Sequence, residues 1–114
     1  MITNIQNIKR GSKIYAIAND STINTFVVLK KEIVDSEYSR ITHGCRREGD
    51  IMLHFIEERY WVPNKKYAIY NDERIMFDTL DYMNDNEGSF HHEYFDNIND
   101  VIDELKNRLT NKMK

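Results

Sequence analysis

The run from Ile51 to Val62 (IMLHFIEERYWV) constrains the fold more than any other stretch. It is the most apolar segment, it holds the only tryptophan, and Gly49-Asp50 and Pro63-Asn64 bound it. Branched and aromatic residues between turn formers predict a central strand, or a strand pair broken near Glu57-Glu58. Alternation sets Ile51, Leu53 and Phe55 on one face and Met52, His54 and Ile56 on the other. Both faces are mostly apolar, so the strand is expected to be covered on two sides.

The flanking segments read as further strands. Lys13 to Ala18 alternates, with Ile14, Ala16 and Ala18 opposite Lys13, Tyr15 and Ile17, and a turn follows at Asn19-Asp20-Ser21. Ile23 to Val34 predicts a second strand, with Phe26, Val28, Lys30 and Glu32 on one face and Val27, Leu29, Lys31 and Ile33 on the other. A strand is expected around Tyr38 to His43, then a polar loop over residues 44–49, and another strand over Lys66 to Tyr70. Arg74 to Met83 fits either a strand or a short helix. Asn84 to Ser89 reads as a loop and Phe90 to Phe95 as a last strand.

The C-terminal pattern differs. Ile98, Val101, Ile102, Leu105 and Leu109 recur at helical spacing, with Asn97 as N-cap and Asp100 completing a weak capping box. Asp100, Asp103 and Glu104 sit near the positive end of the helix dipole, and Lys106, Arg108 and Lys112 near the negative end. Five to six short strands followed by one amphipathic helix define an α+β class: an antiparallel sheet or small barrel closed by the C-terminal helix. At 114 residues, with no linker, repeat or low-complexity tract, residues 1–114 are expected to form one domain.

Ile8 to Tyr15 (IKRGSKIY) resembles the opening of SH3-like small β-barrels, where a charged segment and a glycine lead into the first strand. Phe95 to Leu109 is similar to the short helix that closes many small bacterial and phage proteins of this kind. The resemblance covers roughly a third of the chain, and its motifs are short. The insert from Tyr38 to Asp50 and the loop at Asn84 depart from the simple barrel. The resemblance implies an SH3-like barrel of phages and low-GC bacteria.

Motifs that carry chemistry are sparse. There is no G-x-x-x-x-G-K-[ST], G-x-G-x-x-G or G-x-S-x-G. His43-Gly44-Cys45-Arg46-Arg47 puts a thiol beside two arginines, which would favour the thiolate, and His91-His92 could join it at a zinc ion. It lacks the paired C-x-x-C spacing of zinc sites, so an incidental loop thiol is the plainer reading. Glu57-Glu58, with Asp50 and Asp72, could pair carboxylates for acid/base work, but adjacent glutamates at a strand end are usually solvated. His54, within the central strand, reads as a packed, hydrogen-bonded histidine. No enzyme activity, cofactor or metal is expected.

Charge is the stronger signal. The net charge of -3 hides an asymmetry: from Asp72 to Glu104 there are eleven acidic residues against Arg74 alone. Such a block repels nucleic acid and attracts basic surfaces. With aromatics interspersed, it suits a protein interface in which Asp78, Asp81, Asp85, Glu87 and Glu93 steer and Tyr82 and Tyr94 anchor. The bland reading is a solvated face whose aromatics point into the core. The preferred expectation is a small non-catalytic protein, encoded by a phage or mobile element, that binds and inhibits or modulates a host protein, such as a nucleic-acid-binding enzyme or defence complex. The alternative is a nucleic-acid-binding module using Lys30, Lys31, Trp61, Lys65 and Lys66 on one barrel face. A single cysteine, a polar start without a leader and no bilayer-length apolar run lead to an expected cytoplasmic protein without membrane association, with dimerisation open.

Overall fold

The central strand forms and stops where the two glutamates begin. In the computed structural model, which describes residues 1–85 and 92–112, the strands are β1 (Lys13–Ala18), β2 (Ile23–Ile33), β3 (Ile51–Glu57), β4 (Met76–Thr79) and β5 (His92–Phe95). The helices are α1 (Ser36–Ile41), α2 (Leu80–Asn84) and α3 (Ile98–Lys112), and single 3-10 turns occupy Ile5–Asn7 and Glu58–Tyr60.

The five strands form one antiparallel sheet in the order β4-β3-β2-β1-β5. The first four make a meander, and β5 returns to the free side of β1. Tyr94 on β5 meets Phe55 on β3 with ring centroids 6.4 Å apart, although two strands lie between them. The sheet is therefore curled into half a barrel. Among the described residues no ladder joins β4 to β5, so a seam separates the two edges.

The concave face holds the main core: Ile14 and Ala16 of β1, Phe26 and Val28 of β2, Leu53 and Phe55 of β3, and Met83 of α2. Phe26 and Phe55 meet edge to face at 5.3 Å. Ile2 and Ile8 of the N-terminal segment also enter this core. The segment is held there by Asn84, which accepts from the Ile2 amide and donates to its carbonyl, and by Asp96, which accepts from the Thr3 and Asn4 amides. The convex face carries two smaller clusters. Ile17, Phe95 and Val101 dock α3, while Leu29, Ile56 and Ile75 lie under Tyr60, Trp61, Tyr67 and Ile69. Met52 through Ile56 are consequently all buried, as two-sided cover of the central strand requires. Each such large apolar side chain contributes about 1.5–3 kcal/mol of transfer free energy.

A bulge in β2 overturns the simple alternation expected there. Val28 pairs with Phe55 but Lys30, not Leu29, pairs with His54. One extra residue exchanges the faces of everything beyond it. Lys31 and Ile33 thus share the side of Leu53 and Ile51, while Lys30 and Glu32 share the convex side with His54 and Met52.

Two expected strands are absent. Residues 36–41 are helical because Asp35 caps the first turn, accepting from the Tyr38 amide at 2.7 Å, and positive φ at His43 and Gly44 ends the helix. Lys66 to Tyr70 finds no strand partner because β4 occupies the β3 edge. The Tyr67 hydroxyl pins this loop instead, accepting from the Val62 amide and donating to the Tyr60 carbonyl. The ambiguous stretch splits at Thr79, which ends β4 and caps α2 by accepting from the Tyr82 amide at 3.4 Å. The expected Asn84 to Ser89 loop lies mostly outside the described residues, as does Phe90. The C-terminal helix forms as its spacing predicts, and Asn97 caps it through the Asn99 amide at 2.8 Å. Among the described residues no helix is long and apolar enough to cross a membrane.

Candidate functional site

The seam between β4 and β5 gathers part of the acidic–aromatic set. Asp78 pairs with Leu53 and so lies on the concave side of β4, where Arg46 Nη1 donates to it at 3.1 Å. Burial pushes the Asp78 carboxyl above its ordinary pKa, and the Arg46 charge and the Thr79 amide pull it part of the way back. Tyr94 pairs with Ala16 on the same concave side of β5. Its phenol is pushed up by burial first, then by Asp78 and Tyr82. Asp78 of β4 and Tyr82 of α2 therefore both come into electrostatic reach of Tyr94 on β5. Tyr82 on α2 is 43% exposed, and Asp81 and Asp85 are exposed beside it. Asp81 also lines a shallow depression with Leu80, Asn84, Arg47, Glu48 and Asp50.

Other members of the acidic set lie elsewhere. Glu93 pairs with Ile17 on the convex side and faces Arg108 at 3.7 Å. Glu87 lies outside the described residues. Several acidic side chains are engaged within the fold. Asp72 grips Arg74, whose hydrogen bonds hold its carboxyl down at about 2. Asp96 binds the N-terminal segment, and Glu104 holds Arg108 at 3.1 Å.

The basic set is also divided. The bulge sends Lys30 to the convex side, 3.2 Å from Glu32, and Lys31 to the concave side, where it donates to the Ile5 carbonyl. Trp61 and Lys65, by contrast, both lie beside the Tyr67 ring. Trp61 and Tyr67 lie parallel at 6.0 Å, with the Arg10 guanidinium 5.1 Å from the Trp61 ring and 5.8 Å from Tyr67. Arg10 donates to the Lys65 carbonyl at 2.7 Å, the Lys65 ammonium lies 5.0 Å from the Tyr67 ring, and exposed Lys66 lines a second shallow depression together with Arg10, Lys65 and Tyr67.

Sequence reasoning did not foresee a cavity of about 430 Å³ on the convex side, walled by Met52, Ile75 and Phe77 and bearing Glu32, His54 and Asp72. His54 is 2% exposed, and its Nε2 lies 2.7 Å from Glu32 Oε1. Burial would raise the Glu32 pKa, but the hydrogen bonds from His54 and Lys30 outweigh it and hold the carboxyl below its ordinary value. Cross-strand pairing could have flagged these two only if the bulge had been legible.

The remaining chemical candidates do not assemble into a centre. Glu57 pairs with Arg59 and Glu58 with Lys13. Cys45 is free and exposed, and among the described residues no group of three His, Cys, Asp or Glu side chains is placed to hold a metal. In comparisons with known proteins, the chain matches no family model, no curated protein and no solved structure.

Proposed function

We propose that this chain is a non-catalytic binding protein whose partner is a protein with a basic surface, engaged at the β4–β5 seam. What supports the reading is the convergence of Asp78, Tyr82 and Tyr94 from β4, α2 and β5 beside the exposed Asp81 and Asp85. Within this proposal Asp81 and Asp85 steer and Tyr82 anchors; Tyr94, packed on Phe55, supports the site from beneath, and Asp78 is held by Arg46. Exposed Met76, opposite Phe55 on the edge strand, adds apolar contact. Proteins that handle nucleic acid present basic clefts, so a host enzyme or defence complex of that kind fits the charge, in a phage- or mobile-element setting. Closure of the half-barrel into an SH3-like cylinder belongs to the same proposal, with the partner or α2 covering the seam. Reversing Asp81 and Asp85 to lysine is expected to abolish partner retention. Retention unchanged by this reversal, with unchanged salt dependence, would contradict it.

The second reading, nucleic-acid binding, is favoured by the Trp61–Tyr67 stack with Arg10 and Lys65 around it. It requires salt-sensitive binding of a single-stranded oligonucleotide that weakens on Lys65→Glu. No anisotropy change at low salt would remove it.

A further inference from the structure

A histidine inside the central strand carries a cost that the fold does not offset. His54 is 2% exposed, yet its Nδ1 has no hydrogen-bond partner among the described residues, and a buried polar atom left so is destabilising. An Nδ1–H would be a buried donor without an acceptor, so in the neutral ring the proton resides on Nε2 and is donated to Glu32 Oε1 at 2.7 Å. Both residues line the convex cavity of about 430 Å³, a volume within the roughly 300–1,000 Å³ of small-molecule sites. Buried Val34, Met52 and Ile75 give it apolar walls, and Tyr70 and Phe77, 83% and 48% exposed, add two rings on the solvent side. These residues come from the end of β2, from β3, from β4 and from the loop between β3 and β4, so the cavity is built by the sheet rather than by one loop.

The charge of the walls selects the ligand. Glu32, Asp35 and Asp72 line the cavity, and among the described residues no lysine or arginine does. Asp72 is tied to Arg74, and Asp35 accepts from the Tyr38 amide as the cap of α1. Glu32 Oε2 is held at 3.2 Å by Lys30, whose side chain is 43% exposed and is not part of the cavity wall. Such an exposed pair contributes little, so a cation entering the cavity can take the place of Lys30. Three carboxylates against Lys30 and Arg74 leave one negative charge, which disfavours an anion.

We propose that this cavity binds a small aromatic amine, with its ammonium paired to Glu32 and its ring against Met52, Ile75 and Phe77. His54 holds Oε1 and so fixes the carboxylate, while the Tyr70 and Phe77 rings offer faces to the ligand's ring and charge. Phe77 stands opposite His54 on the convex side, whereas Asp78 of the seam lies on the concave side. The ligand site therefore does not depend on the reading of the β4–β5 seam.

Calorimetric titration with tryptamine, beside tryptophol as its neutral counterpart and indolepropionate as its anionic one, reads the proposal directly. Tryptamine is expected to bind with a Kd of roughly 0.1–1 mM, in keeping with its few atoms. Tryptophol should bind about tenfold more weakly and indolepropionate not at all. Glu32→Gln should weaken tryptamine about tenfold and leave tryptophol unchanged, which separates loss of the charge from collapse of the cavity. Tyr70→Ala/Phe77→Ala, which alters only exposed rings, should weaken both. No heat of binding with tryptamine overturns the proposal, as does equal affinity for the three indoles or a tryptamine affinity unchanged in either variant. Binding of Nα-acetyl-lysine methylamide as tight as that of tryptamine also overturns it, since the cavity would then suit a lysine side chain of a partner protein.

Discussion

His54 and Glu32 meet across a ladder that a bulge has shifted, with Nε2 2.7 Å from the carboxylate of a residue two positions beyond its direct strand partner, Lys30. The bond gives the buried imidazole a hydrogen-bonded acceptor, while its Nδ1 has no partner among the described residues. Losing the one bond leaves the whole ring unsatisfied within the sheet.

Glu32→Ala is therefore expected to cost about 1–3 kcal/mol, measured by urea denaturation. The depressed pKa of Glu32 makes this contribution pH-dependent. It is fully present above the unfolded value of 4.5 and is lost as pH falls through the lower folded value. Stability of the parent should drop as pH is lowered through and below that value, and Glu32→Gln should flatten this part of the curve. An unchanged slope would contradict the assignment.

Arg46 and Asp78 obey the opposite sign. Asp78 has a raised pKa, so the protonated form favours folding below its unfolded value of 3.8, and that advantage fades as pH rises through the folded value. Arg46 limits the cost at neutral pH. Arg46→Ala should destabilise by roughly 1–3 kcal/mol near neutrality and by less in acid, whereas Asp78→Asn should be milder. A double-mutant cycle with a coupling near zero would show that the pair is not formed.

Both pairs show where the sequence was legible. The two-sided burial of residues 52–56, the break at Glu57-Glu58 and the spacing of α3 were readable because each rests on local pattern in one element. The faces of Lys30, Lys31 and Glu32 were not, since a single unpaired Leu29 leaves no local signal in an apolar run. The helical state of residues 36–41 has a local signal in Asp35, whose side chain caps the first turn, but Tyr38 and Ile41 give the segment an apolar content that fits a strand equally well. Tyr94 and Tyr82 carry the same aromatic label in the acidic block, yet one packs on Phe55 and the other faces outward, which only the curl of the sheet decides.

The lone tryptophan reports on the Arg10 cluster. Arg10→Ala removes the guanidinium near Trp61 and its bond to the Lys65 carbonyl. Stability should fall by about 0.5–1 kcal/mol, and Trp61 emission should shift to longer wavelength as water replaces the cation. Emission identical to the parent would contradict the packing described.

The most direct test of the binding account is capture of the partner by the tagged chain from host lysate, with nuclease present throughout. The parent should retain one protein at stoichiometric yield, less of it as salt rises, and Asp81→Lys/Asp85→Lys or Tyr82→Ala should lose it. Retention that survives these substitutions, or a yield that disappears whenever nuclease is added, would contradict the account.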